Sequence, residues 1–254
     1  MRILLIAQHF WPENFRINDL CLGLKEKGHD VVVLTGKPNY PKGVYFDGYT
    51  WTNKRKEVWN GITIHRSNLI TRKDGSGRRL IMNYLSFAFL ASLRVLFIKG
   101  PFDKIFVFAP SPITVGIPGI VARYRFNAKN YLWIHDLWPE SIKDAGGINN
   151  GFVLGLTSLM TKLIYKGSHK LLVQSKAFIS YILLQNVKHE KLIYYPYYAE
   201  DFYTIEPQDP SYCSKLPEGF TLIFAGNIGE AQSFETLLEA AEILKQQQFN
   251  INQL

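Results

Sequence analysis

The stretch RILLIAQHFWPENFRINDLCLGLKEKGHDVVVLTG, residues 2–36, decides the fold. Ile3 to Ala7 is a short apolar run rich in branched side chains, and Val31 to Thr35 is another. Between them Phe15 to Lys27 has a helical period. Ile17, Leu20, Cys21 and Leu24 recur at three- and four-residue spacing, Lys25, Glu26 and Lys27 face away, and Gly28 ends the segment. This is a strand, helix, strand unit with one helix face packed on a sheet.

The alternation continues outward. Strand-like runs stand at Ile62 to His65, Lys104 to Phe108, Asn130 to Ile134, Lys170 to Val173 and Leu192 to Tyr195, separated by helix-length segments. An α/β fold is expected over residues 1–200: a doubly wound, mostly parallel, Rossmann-like sheet. Residues 201–219 carry Pro207, Pro210 and Pro217 among polar neighbours and read as a linker. Residues 220–254 open a second unit, with a strand at Thr221 to Ala225, a glycine turn at Gly226 to Gly229, a helix at Phe234 to Lys245 and a polar tail. About 35 residues cannot build a core. The expectation is therefore a second Rossmann-like domain cut short after its first strand and helix, whose apolar faces favour self-association.

Composition excludes several classes. With 47% hydrophobic and 20% charged residues among 254, the chain is globular rather than disordered. The apolar run after Met1 and Arg2 is too short for a signal-peptide core, and Cys21 and Cys213 are expected to lie apart and unpaired, which fits a reducing cytoplasm. No Cys/His spacing resembles a zinc site. Residues 1–130 hold 20 Lys/Arg against 8 Asp/Glu, so the front of the chain seeks anions. Its basic residues are scattered among apolar runs with no nucleic-acid motif, which argues against nucleic acid and leaves an acidic lipid surface or a phosphorylated substrate.

Leu80 to Ile98 is nearly continuously apolar and is flanked by Arg72, Lys73, Arg78, Arg79 and Lys99. Arg94 inside the run makes spanning the least favoured of three readings, because a charge at the bilayer centre costs about 2.5 to 3.5 kcal/mol. A plain core helix and a helix dipped into an anionic lipid interface both remain open. Lys54, Arg55 and Lys56 either extend this basic face or are simply solvated.

Residues at the carboxyl end of a parallel strand point into the crevice where such proteins bind ligands. After the first strand these are His9, Glu13, Asn14 and Arg16, candidates for an acceptor site, with Asn14 also suited to cap the helix. After the run Tyr131 to Ile134 come His135, Asp136, Trp138 and Glu140. An Asp beside a His orients the imidazole, either group can hydrogen-bond a sugar hydroxyl or take its proton, and tryptophan offers a flat face to a sugar ring. The alternative is that Asp136 caps a helix and Trp138 is buried. At the second unit's turn, Gly226, Asn227 and Gly229 let backbone amides approach a diphosphate, or merely form a tight turn.

Taken jointly, Ile3 to Glu13, Lys27 to Val31, Asp136 to Glu140 and Phe224 to Glu230 leading into Leu237 resemble the retaining family-4 glycosyltransferases of the GT-B fold, especially bacterial O-antigen, capsule and colanic-acid transferases. The resemblance covers the chain to about Leu244. It implies sugar transfer from a nucleotide-diphosphate donor, without an obligatory metal or other cofactor, onto a glycan often carried on polyprenyl diphosphate. The implied enzyme is peripheral on the inner face of the cytoplasmic membrane. By position His135 and Asp136 match the polar pair near the reacting carbon, and Gly226 to Gly229 the loop beneath the donor diphosphate. There are departures. Pro12 and Glu13 replace a glycine pair common in the family, and no Arg and Lys follow the second turn at Glu230 to Ser233. The segment with two glutamates that hold ribose and sugar is missing, so this chain alone is expected to be inactive. A non-catalytic membrane-surface or partner module is the alternative.

Overall fold

The computed structural model describes residues 1–73, 76–142, 150–199, 203–207, 209–213, 220–226, 228, 232–247 and 251–253. The chain divides into two compact units, Met1–Tyr198 and Ala199–Leu254.

The first unit is built on β1 (Arg2–Ala7), β2 (Asp30–Gly36), β3 (Lys56–Trp59), β4 (Ile62–Ser67), β5 (Lys104–Ala109), β6 (Lys129–Ile134), β7 (Lys170–Val173) and β8 (Leu192–Tyr194). They form one sheet in the order β3-β4-β2-β1-β5-β6-β7-β8, parallel throughout except for the antiparallel β3–β4 pair. Its helices include α1 (Ile17–Glu26), α2 (Gly77–Val95), α3 (Gly116–Phe126), α4 (Gly151–Gly167) and α5 (Ala177–Leu183). The doubly wound α/β class read from the sequence is the observed one.

Burial on both faces explains why the central strands are apolar without alternation. In β1, Leu4 and Ile6 pack with Phe87, Ala91 and Val95 of α2 and with residues of α3 and α4. Leu5 and Ala7 pack on the opposite face with Ile17 and Cys21 of α1 and with Phe108, Trp133 and Leu172. Cys21 is buried and free, and burial pushes its thiol up.

The antiparallel edge strand β3 was not expected. Its Lys56 and Val58 are exposed while Glu57 and Trp59 turn inward, a half-covered pattern that charge conceals. Asn60 (φ 47°) and Gly61 (φ 72°) close the β3–β4 hairpin in the left-handed conformations such a turn requires. Trp59 stacks on Trp11 at 5.7 Å, so this edge steadies the loop after β1.

The order reverses at β1, which pairs β2 on one side and β5 on the other. Chain crossovers diverge from that point to opposite faces and leave a crevice at the carboxyl ends of the two strands.

In the second unit, β9 (Phe220–Leu222) pairs in parallel with β10 (Ile251–Gln253), with α6 (Pro210–Cys213) and α7 (Phe234–Gln246) beside them in sequence. The strand expected to reach Ala225 ends at Leu222, a short helix occupies part of the expected linker, and the end of the polar tail contains a strand.

Candidate functional site

A cleft of about 310 Å³ opens at the switch point, lined by His9, Phe15, Tyr40, Arg72, Tyr84, Pro110, Ser111, His135, Asp136, Gln174 and Tyr197. His9 follows β1, Pro110 and Ser111 follow β5, His135 and Asp136 follow β6, and Gln174 follows β7.

On its β1 side, His9 and Glu13 are both buried. The Glu13 carboxylate accepts hydrogen bonds from the backbone amides of Asn39 (2.8 Å), Tyr40 (2.7 Å) and Phe10 (3.3 Å), and both its oxygens stand 3.0 Å from His9 Nδ1. His9 Nε2 lies 3.1 Å from an Arg72 terminal nitrogen. A guanidinium only donates, so Nε2 accepts and the imidazole proton sits on Nδ1, facing Glu13. The His9 ring stacks on Phe15 at 5.1 Å, and the Arg72 guanidinium lies over the rings of Tyr40 (5.4 Å) and Tyr84 (5.5 Å).

Arg72 makes different contacts from the rest of the basic group in which the sequence places it. Grouped with Lys73, Arg78 and Arg79 as membrane-facing, it turns inward because His9 offers an acceptor and two tyrosines offer ring faces. Lys73 and Arg78 are exposed and Arg79 is half-buried. Asn83, wholly buried on α2, fixes this corner by accepting from Gln8 Nε2 (2.7 Å) and donating to the Ile70 carbonyl (2.7 Å).

On its β6 side, His135 is 5% exposed, with its ring 4.3 Å from Trp133 and 4.7 Å from Phe108 and Tyr197. Its Nδ1 hydrogen-bonds the Tyr197 hydroxyl, and its Nε2 is buried without a partner. Burial, reinforced by the Arg16 guanidinium, pushes the imidazole down to about 3, so it is neutral at pH 7. Burial holds the Asp136 carboxyl above the usual carboxylate range, opposed by a hydrogen bond with Ser111. The cleft thus holds both a neutral imidazole and a carboxyl whose charged form burial disfavours.

The other sequence candidates lie off the cleft wall. Glu13 reaches it only through His9. Asn14 is exposed and does not cap α1, whose N-cap is Arg16 with no side-chain cap bond. Asn18 ties this loop instead, accepting from Trp11 N at 3.0 Å and donating to the Glu13 carbonyl at 2.8 Å. Arg16 packs over Tyr197 at 4.9 Å and donates to the Tyr198 carbonyl, so it supports the wall from behind. Trp138 is buried in the core, and one oxygen of Glu140 is buried without a partner. Gly226 is exposed, whereas Asn227 and Gly229 lie outside the described residues. The described residues form no cluster of three or more His, Cys, Asp or Glu able to hold a metal ion.

Tyr40, Tyr84, Ser111, Gln174 and Tyr197 were not singled out from the sequence. The signal for two of them was present: the position just past a parallel strand, which marks His135, also marks Ser111 and Gln174.

A family model described as a glycosyl transferase 4-like domain matches residues 14–197. The Escherichia coli (strain K12) protein WcaI, described as a colanic acid biosynthesis glycosyl transferase, is 25% identical over 260 residues, covering 96% of this chain and 63% of the relative. Among solved structures, sucrose-phosphate synthase from Thermosynechococcus elongatus superposes with a TM-score of 0.67 at 15% identity, over 96% of this chain and 60% of that one. The lipopolysaccharide outer core galactosyltransferase WaaB superposes with a TM-score of 0.50 at 11% identity, over 100% of this chain and 67% of that one. These two likenesses concern the fold. The chain spans about three fifths of the length of the first relatives it matches.

Proposed function

This chain belongs to the glycosyl transferase 4-like family, and from that premise we propose that its first unit is the acceptor-side half of a retaining GT-B glycosyltransferase acting in bacterial surface polysaccharide synthesis, of the O-antigen, capsule or colanic-acid type. The observation that carries the reading is the meeting of His9, Arg72, His135 and Asp136 in one cleft at the switch point.

The acceptor sugar lies against Phe15, Tyr40 and Tyr84, whose ring faces suit a sugar's apolar faces. His135 Nε2 and Asp136 hydrogen-bond its hydroxyls. Desolvation of Asp136 brings its proton affinity closer to what accepting a hydroxyl proton needs. The Arg72 charge suits the diphosphate of a polyprenyl-linked acceptor. The donor diphosphate is assigned to the amides around Gly226, Asn227 and Gly229, with no obligatory metal.

We assign the protein to the cytoplasmic membrane face. Among the described residues no helix is long and apolar enough to cross a membrane. Support comes from two unpartnered apolar stripes, Ile81, Leu85 and Phe89 on α2 and Phe152, Leu156, Leu159 and Leu163 on α4, all at least 47% exposed. Lys73, Arg78 and Arg79 supply the basic flank. In the second unit the exposed Leu237, Leu238 and Ile243 favour self-association.

Titration of the protein with a sugar linked to a short polyprenyl diphosphate, followed by tryptophan fluorescence, tests the site. Saturable binding weakened roughly tenfold in both His135→Ala and Asp136→Ala, about 1.4 kcal/mol each, is expected. Wild-type affinity in both variants removes the assignment.

A further inference from the structure

A second cleft, of about 340 Å³, lies between the end of β4 and the C-terminal half of α2, with Arg55, Arg94, Ser67, Asn68, Leu93 and Phe97 among its lining residues. Its charge is one-sided. Arg66 in its floor is wholly buried and neutralised by Glu57, whereas Arg55 and Arg94 have no carboxylate in the lining. Arg94 donates to the Arg55 carbonyl at 2.9 Å, which draws the two residues together, and its Nε is buried without a partner. A buried donor left unpaired is a cost that a ligand oxygen relieves. Burial lowers neighbouring His65 to about 4, and Arg94, Lys56 and Arg2 add to that shift, which reports a positive field around the cleft. Beside the charges stand Leu93 (42% exposed) and Phe97 (76% exposed), and residues 76–102 contain no Asp or Glu.

Cationic donors beside an exposed apolar ridge match one chemistry, a phosphate joined to hydrocarbon. The geometry points to a binding site for an anionic phospholipid, its phosphate held by Arg55 and Arg94 with Ser67 and Asn68 alongside, and its acyl chains against Leu93 and Phe97. The assignment rests on the membrane-facing reading above and adds to it a defined headgroup position, away from the sugar cleft. It also gives Arg55 a role distinct from a solvated charge.

Co-sedimentation of the full chain with vesicles of phosphatidylcholine, with and without phosphatidylglycerol, tests it. Binding that requires phosphatidylglycerol is expected, falling roughly tenfold or more in the Arg55→Gln/Arg94→Gln pair and much less in Lys27→Gln/Lys42→Gln, an exposed pair whose substitution removes equal charge. Arg94→Gln also removes a bond to the backbone, so Phe97→Asp, at an exposed side chain, is the folding-neutral check and must weaken binding as well. Equal losses in the two double variants indicate diffuse attraction and overturn the cleft while leaving the membrane reading in place. Absence of vesicle binding in the wild type overturns both. Saturable binding of inorganic phosphate to the arginine pair without vesicle binding identifies a free-phosphate site and overturns the lipid assignment.

Discussion

His9 Nδ1 stands 3.0 Å from both oxygens of the Glu13 carboxylate, and both residues are buried. This contact spans only four positions, yet it sets the face that His9 presents to the cleft, because Glu13 is itself fixed by the amides of Asn39 and Tyr40. Glu13→Gln replaces one acceptor oxygen with a donor that opposes either an amide or the His9 proton. It is expected to destabilise the protein by about 2 to 3 kcal/mol, the scale of a hydrogen bond to a charged group. Urea unfolding reads this as a lower midpoint at unchanged slope. An unaltered midpoint shows that the carboxylate is not needed to hold the loop.

Gly36 ends β2 where the chain passes close to the loop after β1. A Cβ there meets the Gln8 carbonyl at 2.8 Å and Leu69 Cδ2 at 2.5 Å, while the same carbonyl accepts the Gly36 amide at 3.0 Å. Backbone cannot move aside as a side chain does, so Gly36→Ala is expected to cost about 1 to 3 kcal/mol. The displacement passes through Gln8 to His9, so acceptor affinity falls too. A variant with wild-type Tm and affinity refutes this coupling.

The strand and helix alternation was legible because burial on both sheet faces writes itself as apolar runs. The edge strand β3 was not, since Lys56 and Glu57 mask its half-covered pattern, although Asn60 and Gly61 carried the hairpin signal. His9, His135 and Asp136 were found by the strand-end rule. Tyr40, Tyr84 and Tyr197 were hidden because they arrive from loops or a helix far along the chain. The contacts of Arg72 were not legible because its neighbours Lys73, Arg78 and Arg79 made it look like part of a basic flank, and only the tertiary position of His9 gives its direction. Trp138 followed the blander reading, since a large ring just beyond a buried strand finds the core before it finds a ligand.

Substitution of Arg72 separates the proposed acceptor cleft from the proposed membrane surface experimentally. Its guanidinium bonds His9 and lies over two tyrosines, so Arg72→Gln is expected to lower affinity for a sugar diphosphate roughly ten- to a hundredfold, by loss of a charge-assisted contact worth about 1.5 to 3 kcal/mol. Binding to anionic vesicles is expected to stay near the wild-type level. The reverse pattern, intact sugar binding with lost vesicle binding, returns Arg72 to the lipid-facing set.

His135 and His65, the two histidines that burial depresses furthest, each contribute a loss of stability in acid. His135, at about 3, and His65, at about 4, stay neutral in the folded protein, while in the unfolded chain each takes up a proton near pH 6.5. Above that pH the two states bind the same number of protons at these sites and stability does not depend on them. As pH falls from about 6.5 toward 4 the unfolded state binds more, so stability declines, by at most about 1.4 kcal/mol per pH unit for each histidine and less for half-exposed His65, which solvent screens. His135→Asn removes one of these uptakes while keeping a polar side chain. Urea midpoints at pH 7.5 and pH 5 are expected to fall less steeply in the variant than in the wild type. Parallel pH profiles, with the same drop in both proteins, show that His135 is solvated rather than held neutral between Trp133, Phe108 and Tyr197.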